Sequence, residues 1–276
     1  MTKIVKISRP RFWLYLFGTY LVGLAAGATS TSDLYRLDSI LFGLYFLFPA
    51  NLLVYGVNDI FDFETDLLNP KKTGYEVLVR PEMYRSLWTW IAVLNIPFII
   101  AAIVMAPRTL LSLVPFLFLA VFYSALPIRA KEVPVVDSLF NILYVFPAAF
   151  GYQMLSGDFP PLGALIGAGA WTAAMHAYSA IPDIASDRAA GIETVATLLG
   201  RGWTHGFCIA CFTVATFIGI AYGSPAALLG LIYVGLMRFS DASSDAGIVR
   251  IYKVFPFLNA LTGFVLFWSI AWPKFH

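Results

Sequence analysis

Asn58, Asp59, Asp62, Glu64 and Asp66 crowd four carboxylates and an amide onto the end of a long apolar run, in a chain where only 12% of residues are charged. Read as a helix, Asn58, Asp62 and Asp66 recur every four residues and Asp59 lies one step round, so several oxygen ligands share one face. Hard divalent cations favour oxygen ligands of this kind. A second group, Asp183 and Asp187, repeats the four-residue spacing after another apolar run that ends near Ile181 and Pro182. Magnesium keeps some of its waters and is usually held by one or two carboxylates together with substrate phosphates. Two such clusters therefore suggest a cradle for Mg²⁺ and a diphosphate. A pair of solvated helix ends is the plainer alternative.

The elements that must position these groups are membrane helices. The chain is 59% hydrophobic with a mean hydropathy of +0.78, whereas soluble domains are roughly 45–50% apolar and about 25% charged. Apolar stretches run through approximately residues 10–28, 38–58, 86–106, 109–126, 136–154, 161–182, 205–222, 225–238 and 253–272, close to the roughly 20 residues that a helical span requires. The expectation is an all-α integral membrane protein with nine transmembrane helices and a cytoplasmic N-terminus, forming one membrane-embedded domain over residues 1–276. Basic residues test that orientation, because cytoplasmic loops concentrate Lys and Arg. Lys3, Lys6, Arg9, Arg11, Lys71, Lys72, Arg80, Arg85, Arg129, Lys131, Arg188, Arg201, Arg238, Arg250 and Lys253 all fall on the expected cytoplasmic side; only Arg36, Arg108 and Lys274 do not. Both acidic clusters then face the cytoplasm, and the bilayer is a partner of the chain. The basic start followed by an apolar run ending in Ala25-Ala26-Gly27-Ala28 reads as an uncleaved first helix rather than a signal peptide, since cleavage would break the charge parity. A net charge of +2 gives no argument for nucleic acid.

A diphosphate needs cations besides the metal. Lys71, Lys72 and Arg80 follow the first cluster, Arg129 and Lys131 follow the fourth apolar stretch, and Arg188 adjoins the second cluster; each also serves as an ordinary cytoplasmic anchor. Tyr55, Phe61, Phe63, Tyr123, Tyr144, Tyr152, Trp171 and Tyr178 lie in or near the helices that carry the clusters, where an aromatic face can stabilise a carbocation but more often simply packs. His176 sits seven residues before Asp183 on the same helix face, about two turns deeper. It either hydrogen-bonds within the bundle or faces a cavity; Asn51 and Gln153 pose the same choice. Cys208 and Cys211 lie inside an apolar segment and read as small core residues.

Two longer patterns resemble the UbiA-type intramembrane prenyltransferases, and the likeness runs through essentially the whole chain. The first is an Asn-Asp-x-x-Asp-x-x-x-Asp run, here Asn58, Asp59, Asp62 and Asp66. The second is an Asp-x-x-x-Asp-x-x-x-Gly-x-x-Thr run, here Asp183, Asp187, Gly191 and Thr194. The segment from Tyr123 to Lys131 is similar to the stretch after the family's fourth helix, whose Tyr and Lys approach the diphosphate. The resemblance implies nine helices around a central cavity, a cytoplasmic active site in a prokaryotic plasma membrane, and Mg²⁺ as cofactor. It also implies transfer of an isoprenoid from its diphosphate to a lipophilic acceptor. On that reading Asn58, Asp62, Asp66, Asp183 and Asp187 hold metal, Asp59 joins the catalytic acids, and Lys72, Lys131, Tyr123 and Arg129 bind diphosphate.

Where many members carry an Arg-Pro-Leu context after the first motif, this chain has Leu67-Leu68-Asn69-Pro70-Lys71-Lys72-Thr73-Gly74-Tyr75-Glu76. With Ile7 to Tyr15 and Tyr178 to Asp183, that phrase looks most like the lycopene elongases of fifty-carbon carotenoid synthesis. The resemblance implies dimethylallyl diphosphate as donor and lycopene or a related carotenoid as acceptor. Attack by the terminal alkene leaves a tertiary cation, which loses a proton, with diphosphate or His176 as candidate base, or captures a held water. A quinone precursor and a glyceryl ether lipid phosphate are the alternative acceptors. No Lys or Arg stands inside an apolar run to receive an aromatic carboxylate, which favours an apolar acceptor. A cation-coupled transporter is the non-enzyme alternative, but its mid-membrane acids are missing.

Overall fold

The computed structural model describes residues 2–67, 76–189 and 191–275, all helical or irregular, with no strand among the described residues. Among the described residues five helical stretches are long and apolar enough to cross a membrane: Leu37–Phe61, Pro81–Met105, Val136–Ser156, Val195–Ala221 and Asp245–Phe275. Their outward faces are oily. Val93, Ile96, Ile100, Ile103 and Val104 are all exposed on one of them, an arrangement stable against lipid and not against water. The other apolar stretches are also helical but shorter or less apolar, among them Trp13–Gly27, Leu110–Phe122 and Leu162–Ala180.

Two compact units emerge from the packing. The first comprises Met1–Arg129 with Phe146–Phe159, the second Ala130–Val145 with Pro160–His276. In the first unit, helix Trp13–Gly27 lies hard against Phe146–Ser156, because small residues let the two backbones meet. A Cβ placed on Gly151 would come within 2.8 Å of the Tyr20 carbonyl oxygen. Tyr20, Phe42, Phe46, Phe116 and Phe150 fill the core beside that crossing, with ring centroids 4.7 Å apart for Phe42 and Phe150. Helix Pro49–Phe61 is buried along nearly its whole length. Pro49 interrupts the helical run before it, and Asn51 repairs the break by donating to the carbonyls of Phe46 and Leu47. Asn95 donates to Pro49 O, and Ser112 donates to Gln153 Oε1 at 2.9 Å. Asn51 and Gln153 therefore hydrogen-bond within the bundle.

In the second unit, Leu162–Ala180 packs along Val195–Ala221, and Tyr178, Phe212, Tyr233, Phe255, Met237 and Cys208 form the core. Cys208 is fully buried with its thiol toward Ala174 O, so it is a core residue as its apolar setting predicts. Gly200, with φ 72°, kinks the Val195–Ala221 helix, a backbone state that costs other residues energy. Thr194 caps that helix through a reciprocal box with Thr197.

Candidate active site

The helix that delivers the first acidic cluster stops inside it. Pro49–Phe61 ends with Asp62 at its C-cap, and a separate turn, Phe63–Asp66, follows. A continuous helix through Asp66 is the sequence expectation; the structure breaks it at Asp62, which turns the backbone while preserving the four-residue neighbours. Asn58 Nδ2 donates to Asp62 Oδ2 at 2.6 Å and to Ser124 Oγ at 3.0 Å, and the Asp66 amide donates to Asp62 O at 2.7 Å. Asp62 and Asp66 are both buried. Buried carboxylates are costly without compensating positive charge. Arg129 is one source: its Nη1 donates to Phe61 O at 3.3 Å, and its Nη2 stands 4.0 Å from Asp62 Oδ1, a loose ion pair.

Asp59 keeps different company. It is only 2% exposed, and its Oδ1 lies 2.8 Å from Arg9 Nη2, whose guanidinium also stands 4.8 Å above the Tyr55 ring and 3.6 Å from Glu76. Burial alone would lower the Arg9 pKa. The opposing pull of Asp59, Glu76 and Tyr55 outweighs it and holds the group well above its ordinary value, so Arg9 is a permanent cation. Arg9 and Arg129 both adopt positive φ, 53° and 44°, in the left-handed region that non-glycine residues pay about 1–3 kcal/mol to occupy. Two strained arginines thus brace one acidic helix end.

A cleft of about 430 Å³ opens beside this cluster, lined by Ile60, Phe61, Phe63, Glu64, Pro81, Tyr84 and Arg129. A larger one of about 630 Å³ lies around Pro107, Val114, Gln153 and Phe159; each cleft has one lining carboxylate, Asp158 there and Glu64 here, and what sets the smaller apart is that Phe61 and Phe63, the neighbours of Asp62, line it.

The second cluster lies in the second unit. Asp183 ends a short 3-10 turn, Ile181–Asp183, and is exposed; Asp187 lies in the following turn, Ile184–Ala189, and is half-buried. Ser186 donates to Asp183 O and Arg188 to Thr197 O, so Arg188 ties this turn to the helix that Thr194 caps. Tyr123 follows directly on the end of Leu110–Phe122, and Lys131 lies in the turn Ala130–Glu132. Lys72 and its neighbour Lys71 fall outside the described residues.

Among the described residues no three His, Cys, Asp or Glu side chains converge tightly enough to enclose a metal by themselves. The candidate donors are oxygen-only in each unit, Asn58, Asp62 and Asp66 in the first and Asp183 and Asp187 in the second, a chemistry that suits a hard cation.

Asp137 escapes sequence reasoning. It is fully buried, accepts the Val195 amide on Oδ2 at 3.0 Å, and places that oxygen 3.3 Å from His176 Nε2. A lone Asp at the head of an apolar stretch reads as a helix cap, and nothing in spacing links it to residues 39 or 58 positions on. Arg9 was visible only as one of the cytoplasmic-side basic residues and within the phrase from Ile7 to Tyr15, and Ser124 only within the phrase from Tyr123 to Lys131.

Residues 16–243 match the UbiA prenyltransferase family. The chain is 38% identical over 275 residues to a lycopene elongase/hydratase of Haloarcula japonica, covering 99% of this chain and 92% of that one. It is 39% identical over 273 residues to a lycopene elongase/hydratase of Halobacterium salinarum, covering 98% and 97%. A UbiA homolog from Archaeoglobus fulgidus bound to GPP and Mg²⁺ superposes with a TM-score of 0.74, covering 96% of this chain and 99% of that one; at 20% identity the likeness is one of fold.

Proposed function

The chain belongs to the UbiA prenyltransferase family, and we propose that it transfers a dimethylallyl group from dimethylallyl diphosphate to the end of lycopene or a close carotenoid relative. The observation that carries the acceptor is near-full-length identity close to two-fifths with relatives named lycopene elongase/hydratase. The protein is all-helical and its family is one of prenyltransferase enzymes. One membrane domain of nine spans, a cytoplasmic N-terminus and an active site at the cytoplasmic side of a prokaryotic plasma membrane complete the proposal, supported by the distribution of Lys and Arg.

Asn58, Asp62, Asp66, Asp183 and Asp187 would hold Mg²⁺, which supplies charge neutralisation to the leaving diphosphate. Arg129, with Lys72, Lys131 and Tyr123, orients the diphosphate oxygens so that the C–O bond ionises to an allylic cation and diphosphate departs with the bonding pair. Asn58 acts by fixing the Asp62 carboxylate, since its amide already donates to Oδ2. Asp59 and Arg9 act on the same helix end from behind, as a neutralised pair that sets its position. The acceptor's terminal alkene then attacks the allylic carbon, leaving a tertiary cation on the carotenoid. Exclusion of water from the allylic cation falls to the apolar residues of the cleft, Ile60, Phe61 and Phe63.

Expression in cells that accumulate lycopene and make dimethylallyl diphosphate tests the reading. Pigments heavier by one or two five-carbon units are expected. Unchanged lycopene with the protein present in the membrane, or activity with 4-hydroxybenzoate instead, would defeat the carotenoid acceptor.

A further inference from the structure

The family's two acidic motifs explain how the donor ionises; they do not explain how the product cation is ended. The second unit contains a buried acid–base pair outside both motifs. Asp137 is fully buried, and its Oδ2 serves two partners, the Val195 amide at 3.0 Å and His176 Nε2 at 3.3 Å. Its Oδ1 is buried with no hydrogen-bond partner among the described residues. Buried acceptors are normally satisfied, so an orphaned one asks for a ligand, and water is the smallest candidate.

His176 lies on helix Leu162–Ala180, four residues before its end, and the 3-10 turn Ile181–Asp183 follows, so at roughly 1.5–2.0 Å per residue it stands about 10 Å before Asp183 along the chain, on the membrane side. A carotenoid end reacting at the C1 of a five-carbon donor must sit on the membrane side of the diphosphate, at a depth of this order. The carboxylate at Nε2 favours the tautomer with its proton there, which leaves the lone pair on Nδ1.

We infer that His176, positioned by Asp137, takes the proton released when water adds to the carotenoid cation. This rests on the carotenoid reading above. The step balances: a water oxygen bonds to the tertiary cationic carbon, one O–H bond breaks with its electron pair returning to oxygen, and the proton passes to His176 Nδ1. The products are a tertiary alcohol and an imidazolium. Capture by water is reversible until the oxonium ion loses that proton, so a base at this point decides between alcohol and alkene. Asp137 Oδ1 offers an acceptor for the water's other hydrogen. The Val195 contact has a structural use, because an aspartate at a helix N-terminus satisfies an orphan amide. It does not account for a histidine held against the same oxygen.

The test is the ratio of hydrated to unhydrated elongated pigment, a readout independent of how much enzyme is present. Wild type, His176→Gln and Asp137→Asn are compared in lycopene-accumulating cells by chromatography and mass spectrometry. Asn at 137 still accepts the Val195 amide but removes the charge that orients the imidazole. Both variants are expected to keep forming elongated pigment while the ratio falls by about tenfold or more, below the ~10²–10⁴ of demanding proton transfers because a carbocation needs little help. An unchanged ratio in either variant overturns the inference, as does a wild type that makes only unhydrated pigment. Loss of all elongated pigment in both variants, with protein present in the membrane, would put the pair before the cation forms and overturn it too. A wild type making no elongated pigment refutes the carotenoid acceptor itself, and the inference falls with it.

Discussion

Arg9 Nη2 stands 2.8 Å from Asp59 Oδ1, joining the N-terminal segment to the acidic helix end fifty residues later. Only 2% of Asp59 and 17% of the Arg9 side chain reach the surface, so the pair is largely withdrawn from water. The aspartate nearest in sequence to the proposed metal-binding set is thus already neutralised.

Removing one member of such a pair strands the other. Arg9→Ala and Asp59→Ala are each expected to destabilise the detergent-solubilised protein by about 3–5 kcal/mol, and the double variant by far less than their sum. Thermal unfolding of the four proteins measures the coupling. Additivity within about 0.5 kcal/mol would mean the contact does not operate.

The proposed metal-binding acids separate stability from activity. Asp62→Ala, Asp66→Ala, Asp183→Ala and Asp187→Ala should each reduce prenyl transfer by at least about 10²-fold, the scale of several kcal/mol of lost charge stabilisation. Asp183→Ala, at an exposed position, should also leave the melting temperature where it was, since isolated surface substitutions stay within about 0.5 kcal/mol. Two variants that retain turnover would remove the two-cluster assignment.

Metal removal should be reversible. Chelation with EDTA is expected to stop pigment elongation in isolated membranes, and excess Mg²⁺ to restore it without refolding. Turnover that survives exhaustive chelation would exclude a role for the metal.

The Trp13–Gly27 crossing offers a paired test within one helix. Gly23→Ala drives a methyl group into the Ala148 backbone and should cost about 1–3 kcal/mol, whereas a Cβ at Gly18 meets nothing within 4 Å. Gly18→Ala is therefore expected to be neutral or to stabilise by up to about 1 kcal/mol. Equal melting temperatures for the two variants would contradict the close approach.

The acids of both clusters, the basic residues after them and the all-helical character were legible because each is a local property. Hydropathy over about 20 residues marks a helix, and a four-residue repeat puts Asn58 beside Asp62 whatever else the chain does. The 2.6 Å contact between those two residues is the repeat made visible. The end of the helix at Asp62 was not legible: no Gly or Pro marks it, and the Arg129 contacts with Phe61 O and Asp62 come from beyond the local sequence. Nor does any pattern in the chain say that Asp59 belongs to Arg9, or that Asp137 meets both His176 and Val195. Which residue types the membrane tolerates at which helix ends follows from the residues one at a time, because desolvation acts on each separately. Which charges neutralise one another does not, because that depends on distances between segments that periodicity leaves free.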